Sequence, residues 1–325
     1  FPLSAPRRGG MSEHPMVVLV MTLGPSLASL LASVWMVSRL LESDRKTRRR
    51  LFVRQLVHLG VSDAVFGLAI AVFCVLRWSS VVVPQGVGAW VCPGVVGMYE
   101  VARLASVYTG AHIALGMCCV WYRALGALPA LRVSLWGAWP CAFVLLAVRV
   151  VQFPTYPYDP WQKRCVWDKG ADPLNLVVLS VFFAVSTVCY VATLCRSRYS
   201  ASPRTALAYA RGYQVGLLVC YAPVLVLLSI PAAQNTWCAM VVLGLEGLNG
   251  VCNVGTFYLQ SRYSAEAGGE RPRTRRKKDV EMGDVDSAGV SFRVVFGNEE
   301  VTECAGTTQE AAWRSILEVR ALEAE

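Results

Sequence analysis

The chain has 325 residues, of which 55% are hydrophobic and 16% charged. A soluble globular protein carries roughly 25% charged residues, so this balance excludes a free water-soluble globule. The net charge of +9 would suit nucleic acid, but Lys and Arg cluster between apolar blocks, where a membrane protein keeps its cytoplasmic loops. The charge is therefore read as topology and anionic-lipid contact, with no nucleic-acid partner.

The first 15 residues read as a short extracellular N-terminal segment. Phe1 stands where Met would begin a chain, and Met11 is a candidate initiator. Arg7 and Arg8 precede an apolar block too long for a signal peptide, so the first span is expected to serve as signal and anchor together.

A bilayer core about 30 Å thick needs roughly 20 apolar residues rising 1.5 Å each. That ruler selects Met16 to Ser38, Leu51 to Leu76, Cys92 to Val120 and Val133 to Val151. It then selects Pro173 to Cys195, Gly212 to Ile230 and Trp237 to Leu259. Pro25, Pro140 and Pro223 fall inside these blocks, yet helices remain the expectation. In lipid only helices or closed barrels satisfy the backbone, and barrel strands would be half as long. The predicted fold is all-α, a seven-transmembrane helix bundle over 16–260, followed by a partly disordered cytoplasmic tail over 261–325.

The connectors set the orientation. Arg39, Arg45, Lys46, Arg48, Arg49 and Arg50 follow the first span, Arg123 and Arg132 the third, and Arg196, Arg198, Arg204 and Arg211 the fifth. The opposite connectors hold Arg77, Arg149, Lys163, Arg164 and Lys169. The bias places the first set in the cytoplasm and, with an odd number of spans, the N-terminus outside. Beyond the last span, Arg271, Arg273, Arg275, Arg276, Lys277 and Lys278 form a basic run, read as a solvated tail or a site for anionic headgroups. From Thr307 to Ala324 the spacing of Trp313, Ile316, Leu317 and Leu322 allows a short amphipathic helix.

Ionisable groups inside spans cost roughly 2.5 to 3.5 kcal/mol each on insertion scales. Here they are Arg54, His58, Asp63, Glu100, Arg103 and Glu246. Glu100 and Arg103 in the third span and Glu246 in the seventh lie at a similar outer depth. They either line one extracellular ligand cavity or, for the i,i+3 pair Glu100 and Arg103, satisfy each other. Arg54 and His58, spaced i,i+4 at the inner end of the second span, either form a polar lock to neighbouring helices or leave Arg54 to snorkel. Asp63 with Asn249 and Asn253 suggests a hydrogen-bonded hub between the second and seventh helices.

Cys92 opens the third span and Cys165 lies in the following outer loop, so both meet the oxidising side. They are the expected disulfide, with Cys238 as the competitor. No paired-Cys or His-x-x-x-His spacing, phosphate loop or nucleophile elbow occurs, so neither an enzyme nor a cofactor is expected. The seventh span contains no lysine for a retinal Schiff base.

Several short runs resemble a known family. Arg54-Gln55-Leu56-Val57-His58 is similar to an Arg-x-x-x-His pattern, and Leu59-Gly60-Val61-Ser62-Asp63 to a Leu-Ser-x-x-Asp run. Trp136-Gly137-Ala138-Trp139-Pro140 resembles Trp-Gly-x-Pro with one residue added, and Cys165-Val166-Trp167 resembles an adjacent Cys-Trp. Leu245-Glu246-Gly247-Leu248-Asn249 resembles Leu-Gln-Gly-Phe. Over Met16 to Tyr263 the chain thus looks like a seven-helix G-protein-coupled receptor of the secretin/adhesion branch together with the cyclic-AMP-receptor-like proteins. The rhodopsin-like branch fits less well, because Trp121-Tyr122-Arg123 stands where Asp-Arg-Tyr would close the third span and no Asn-Pro-x-x-Tyr closes the seventh.

The resemblance implies a plasma-membrane receptor that passes an extracellular small-ligand signal to a heterotrimeric G protein, with the sixth helix swinging outward about Pro223. A small-solute transporter or channel, and a ligand-free membrane scaffold, are the readings it competes with.

Overall fold

The computed structural model describes residues 15–43, 45–78, 84–152, 158–159, 164–165, 173–197, 203–230 and 236–269. The first 14 residues, the basic run and the segment from Thr307 to Ala324 lie outside them. The described residues up to Ser261 form one unit; of the second, which begins at Arg262, only the end of a helix is described.

Among the described residues seven helical segments are long and apolar enough to cross a membrane, and the protein is an integral, multi-pass membrane protein. The helices are α1 (Pro15–Glu42), α2 (Arg45–Arg48), α3 (Leu51–Trp78) and α4 (Gln85–Trp121). They continue with α5 (Leu128–Ser134), α6 (Ala138–Gln152), α7 (Pro173–Ser197), α8 (Pro203–Ser229), α9 (Thr236–Gly247) and α10 (Asn249–Gly269). Two strands of two residues, β1 (Tyr158–Asp159) and β2 (Arg164–Cys165), pair antiparallel between α6 and α7.

The bundle is apolar outside and mixed within, as a lipid solvent requires. On α1 the buried positions are Thr22, Ser26, Ser29, Ser33, Met36 and Leu40, while Leu27, Leu31, Val34, Trp35 and Leu41 face outward. Spaced alternately by three and four, the buried set forms one helical seam. Small side chains there let backbones approach, which is how helices associate without a hydrophobic driving force. Pro25 donates no hydrogen bond to the Met21 carbonyl, and α9 presses against that same oxygen: a Cβ at Gly244 would come within 2.6 Å of it. A Cβ at Gly67 on α3 would meet the Ser26 carbonyl at an equal distance.

Several boundaries differ from the sequence reading. The third span starts at Gln85, so Cys92 lies two turns inside α4 instead of opening it. Gly86, Gly88 and Pro93 had disguised those turns, although a membrane helix tolerates all three. The fourth span starts at Leu125 and is interrupted by a 3₁₀ turn at Leu135–Gly137; Pro140 sits in the first turn of α6, where a missing N–H costs nothing. In the seventh span α9 ends at Gly247 and α10 begins at Asn249, with Leu248 between them, and the helical ladder runs through: Leu248 N–H donates to the Gly244 carbonyl at 3.2 Å and Cys252 N–H to the Leu248 carbonyl at 3.0 Å. Arg204 and Arg211, read as loop residues, belong to the first turns of α8.

α4 ends in a Schellman arrangement, with Ala124 N–H on the Cys119 carbonyl at 2.8 Å and Arg123 N–H on the Val120 carbonyl at 3.1 Å. Arg123 accordingly takes a left-handed φ of 57°. Trp121-Tyr122-Arg123 is thus a helix stop.

Candidate functional site: two polar clusters on shared helices

Of the residues singled out in the sequence, Glu100, Arg103 and Glu246 assemble into one polar cluster and Asp63, Asn249 and Asn253 into another. Toward the disulfide-bearing end, Tyr99, Glu100 and Arg103 project from the third span, Asn175 from α7, Arg149 from α6 and Glu246 from α9. Arg103 donates to Glu100 through Nη2 and its Nε lies 3.8 Å from Glu246 Oε1, so one guanidinium serves two carboxylates. Tyr99 hydroxyl donates to Glu246 Oε2 at 2.8 Å, and Asn175 Nδ2 to Glu100 Oε2 at 3.0 Å. Arg149 approaches Glu100 Oε1 at 3.9 Å, and the Arg103 guanidinium also sits 5.3 Å from the Tyr99 ring centroid.

Two carboxylates and two guanidiniums therefore balance in a region where isolated charges would be prohibitive. Glu100, Arg103 and Glu246 do share one site, but they are buried at 4%, 3% and 2% exposure. The adjoining cavity, between Glu100, Arg149, Asn175, four leucines and Val178, holds about 10 Å³, room for a single water. The i,i+3 pairing of Glu100 with Arg103 is present, and a ligand would have to open it.

One turn deeper the second cluster centres on Asp63. Its Oδ1 accepts from Ser106 hydroxyl at 2.7 Å and Asn249 Nδ2 at 2.8 Å, and its Oδ2 accepts from Asn253 Nδ2 at 2.8 Å. Tyr221 on α8 reaches Ser106 at 3.5 Å, which brings the sixth span into the hub two residues before Pro223. Asn249 and Asn253, spaced i,i+4 on α10, meet Asp63 from one face. Gly250 between them lets Ser29 and Ser33 of α1 pack directly against the helix, and its N–H donates to Ser29 hydroxyl at 3.0 Å. A cavity of about 20 Å³ opens beside the hub, lined in part by Tyr190, Tyr213 and Tyr221.

Sequence reasoning missed a third network. Gln55 Nε2 lies 2.8 Å from His112 Nδ1, and His112 Nε2 lies 2.9 Å from Ser134 hydroxyl, tying the second, third and fourth spans together. A histidine inside an apolar block was the available signal. His58 does reach a neighbouring span: its ring meets Trp136 edge-on at 5.3 Å. Arg54 lies half-buried one turn before it.

Cys92 and Cys165 form a disulfide with Cα atoms 5.4 Å apart, leaving Cys238 outside the bridge. The bond anchors β2 over the end of α4, where both cysteines pack against Phe73. Among the described residues no group of three His, Cys, Asp or Glu side chains gathers as a metal site would require. No protein-family model matches the chain, and no curated protein matches it in sequence.

Proposed function

We propose that the chain is a seven-helix receptor of the G-protein-coupled kind, as its second- and seventh-span motifs resemble, with its N-terminus outside. It answers a small extracellular ligand and presents its arginine-bearing connectors to a G protein. The observation that carries this reading is the sharing of helices between the clusters. α4 contributes Tyr99, Glu100 and Arg103 to one and Ser106 to the other, while the seventh span contributes Glu246 to one and Asn249 and Asn253 to the other.

A ligand that separates Glu100 from Arg103 must therefore displace elements that also hold Asp63. Through Tyr221 and Ser106 the hub touches α8 next to Pro223, the joint at which the sixth span would swing. Two packings of one bundle, biased by a ligand, are all that such transmission requires. Transport would call for a continuous polar path, whereas the cavities beside the two clusters each hold room for about one water. No catalytic role is assigned.

Purified receptor in lipid nanodiscs should accelerate nucleotide exchange on at least one class of G protein above the rate with empty nanodiscs. Background rates with every class would refute the proposal.

A further inference from the structure

A cysteine in a membrane helix is ordinarily a small hydrophobe, and what its sulfur touches decides whether it can be more. Cys74 on α3 meets the Thr22 hydroxyl at 3.3 Å, a partner that no oxidant couples to it. Cys220 on α8 instead meets Cys252 on α10, thiol to thiol in a hydrogen bond. Both are free thiols, packed in the same apolar cluster as Leu217 and Val224.

The backbone explains why the two sulfurs meet. Gly212, Gly216 and Cys220 follow one another at intervals of four along one face of α8. A Cβ at Gly212 would come within 2.7 Å of Thr256 Cγ2, and one at Gly216 within 3.4 Å of Cys252 Cβ. The bare glycines let α10 lie against α8, and the next residue on that face carries sulfur. Cys220 is fully buried, whereas Cys252 is only partly so, and a small molecule arriving from outside the bundle reaches Cys252 first. The pair also borders the joint of the sixth span. Cys220 precedes Pro223 by less than one turn, and the residues that follow the two cysteines, Tyr221 and Asn253, belong to the Asp63 hub.

We propose that Cys220 and Cys252 are an oxidation site, a thiol pair that a hydroperoxide closes to a disulfide, tying the sixth span to the seventh. The Cys252 sulfur attacks one peroxide oxygen, the O–O bond breaks, and the departing hydroxyl leaves as water with the thiol proton, making Cys252 a sulfenic acid. The Cys220 sulfur then attacks the Cys252 sulfur, the S–O bond breaks, and a second water takes the Cys220 proton. Two thiols are oxidised by two electrons in all, and hydrogen peroxide is reduced to two waters. A dithiol reverses the bond by exchange and leaves as its own disulfide. Once bonded, the segment before Pro223 stays against α10, so the oxidised bundle keeps one packing where the reduced bundle has two. The bond itself does not depend on receptor function; its effect on signalling rests on the reading given above.

The full chain in lipid nanodiscs, exposed to hydrogen peroxide and digested without reductant, tests the pair by peptide mass. The parent should yield a crosslinked peptide containing Cys220 and Cys252 that dithiothreitol splits, and its unfolding temperature should rise by about 5 °C on oxidation. Cys252→Ala should show neither the crosslink nor the rise. Should that variant fail to fold, the peptide map of the parent decides alone. Oxidation of Cys252 to a sulfinic acid without a crosslink would overturn the proposal. So would a crosslink between Cys118 of α4 and Cys189 of α7, thiols that also hydrogen-bond, with Cys220 still free. In nucleotide exchange, the parent freed of peroxide should fall to the rate of empty nanodiscs, while Cys252→Ala treated in the same way keeps its activity. Full exchange by a crosslinked parent would overturn the lock.

Discussion

The outer and central clusters solve the same problem, a carboxylate buried in a membrane bundle, by opposite means. In the outer cluster charge answers charge: Glu100 and Glu246 stand against Arg103, with Arg149 at the edge. In the hub the Asp63 carboxylate is held by the neutral side chains of Ser106, Asn249 and Asn253. A charge-compensated cluster fails when one member is removed, because its partners are left buried and uncompensated. A cluster of neutral donors tolerates the loss of the charge itself, since burying a neutral amide costs less than burying a carboxylate.

The largest expected effect follows from that asymmetry. Arg103→Met should destabilise the bundle by about 3–5 kcal/mol, read as a lowered unfolding temperature in detergent, and adding Glu246→Gln should restore part of the loss. Full additivity of the two substitutions would mean that the pair is not coupled.

The disulfide braces the same end of the bundle. Cys92→Ser, Cys165→Ser and the double variant should each cost about 2–5 kcal/mol, and by the same amount, with loss of one reducible crosslink. A double variant worse than either single would separate the two cysteines.

In the hub, Gly250→Ala should cost about 1–3 kcal/mol through overpacking against Ser29 and Ser33. Asp63→Asn should change stability by less than about 1 kcal/mol in either direction, roughly one hydrogen bond, when measured by the same unfolding assay. A loss as large as that of Arg103→Met would erase the distinction between the clusters.

How far the sequence carried this picture depended on the kind of signal. Seven apolar blocks were legible because lipid demands length and hydropathy, both of which are local properties. The hub was legible in outline for a related reason: Asp63, Asn249 and Asn253 are costly in a span and so announce a partner. Ser106 and Tyr221 were not, because a serine or tyrosine in a membrane helix is cheap enough to need no special explanation. His112 carries the same signal as Asp63, an ionisable side chain inside an apolar block.

The 3₁₀ turn at Leu135–Gly137 was also hidden, since hydropathy runs through it unchanged. It lies directly after the segment holding Ser134 on His112. The pairing of Glu100 with Arg103 could be read from their spacing, but the recruitment of Arg149 and Asn175 from two other spans could not, because it depends on how the helices are arranged around α4.

Signalling to a G protein through the arginine-bearing connectors requires an odd number of crossings with those connectors on the inner side. Limited proteolysis of intact cells, with epitopes at both ends of the chain, tests this directly. The account predicts that trypsin added outside removes the N-terminal epitope and spares the basic run from Arg271 to Lys278 until the membrane is opened. Cleavage of that run from outside intact cells would contradict it.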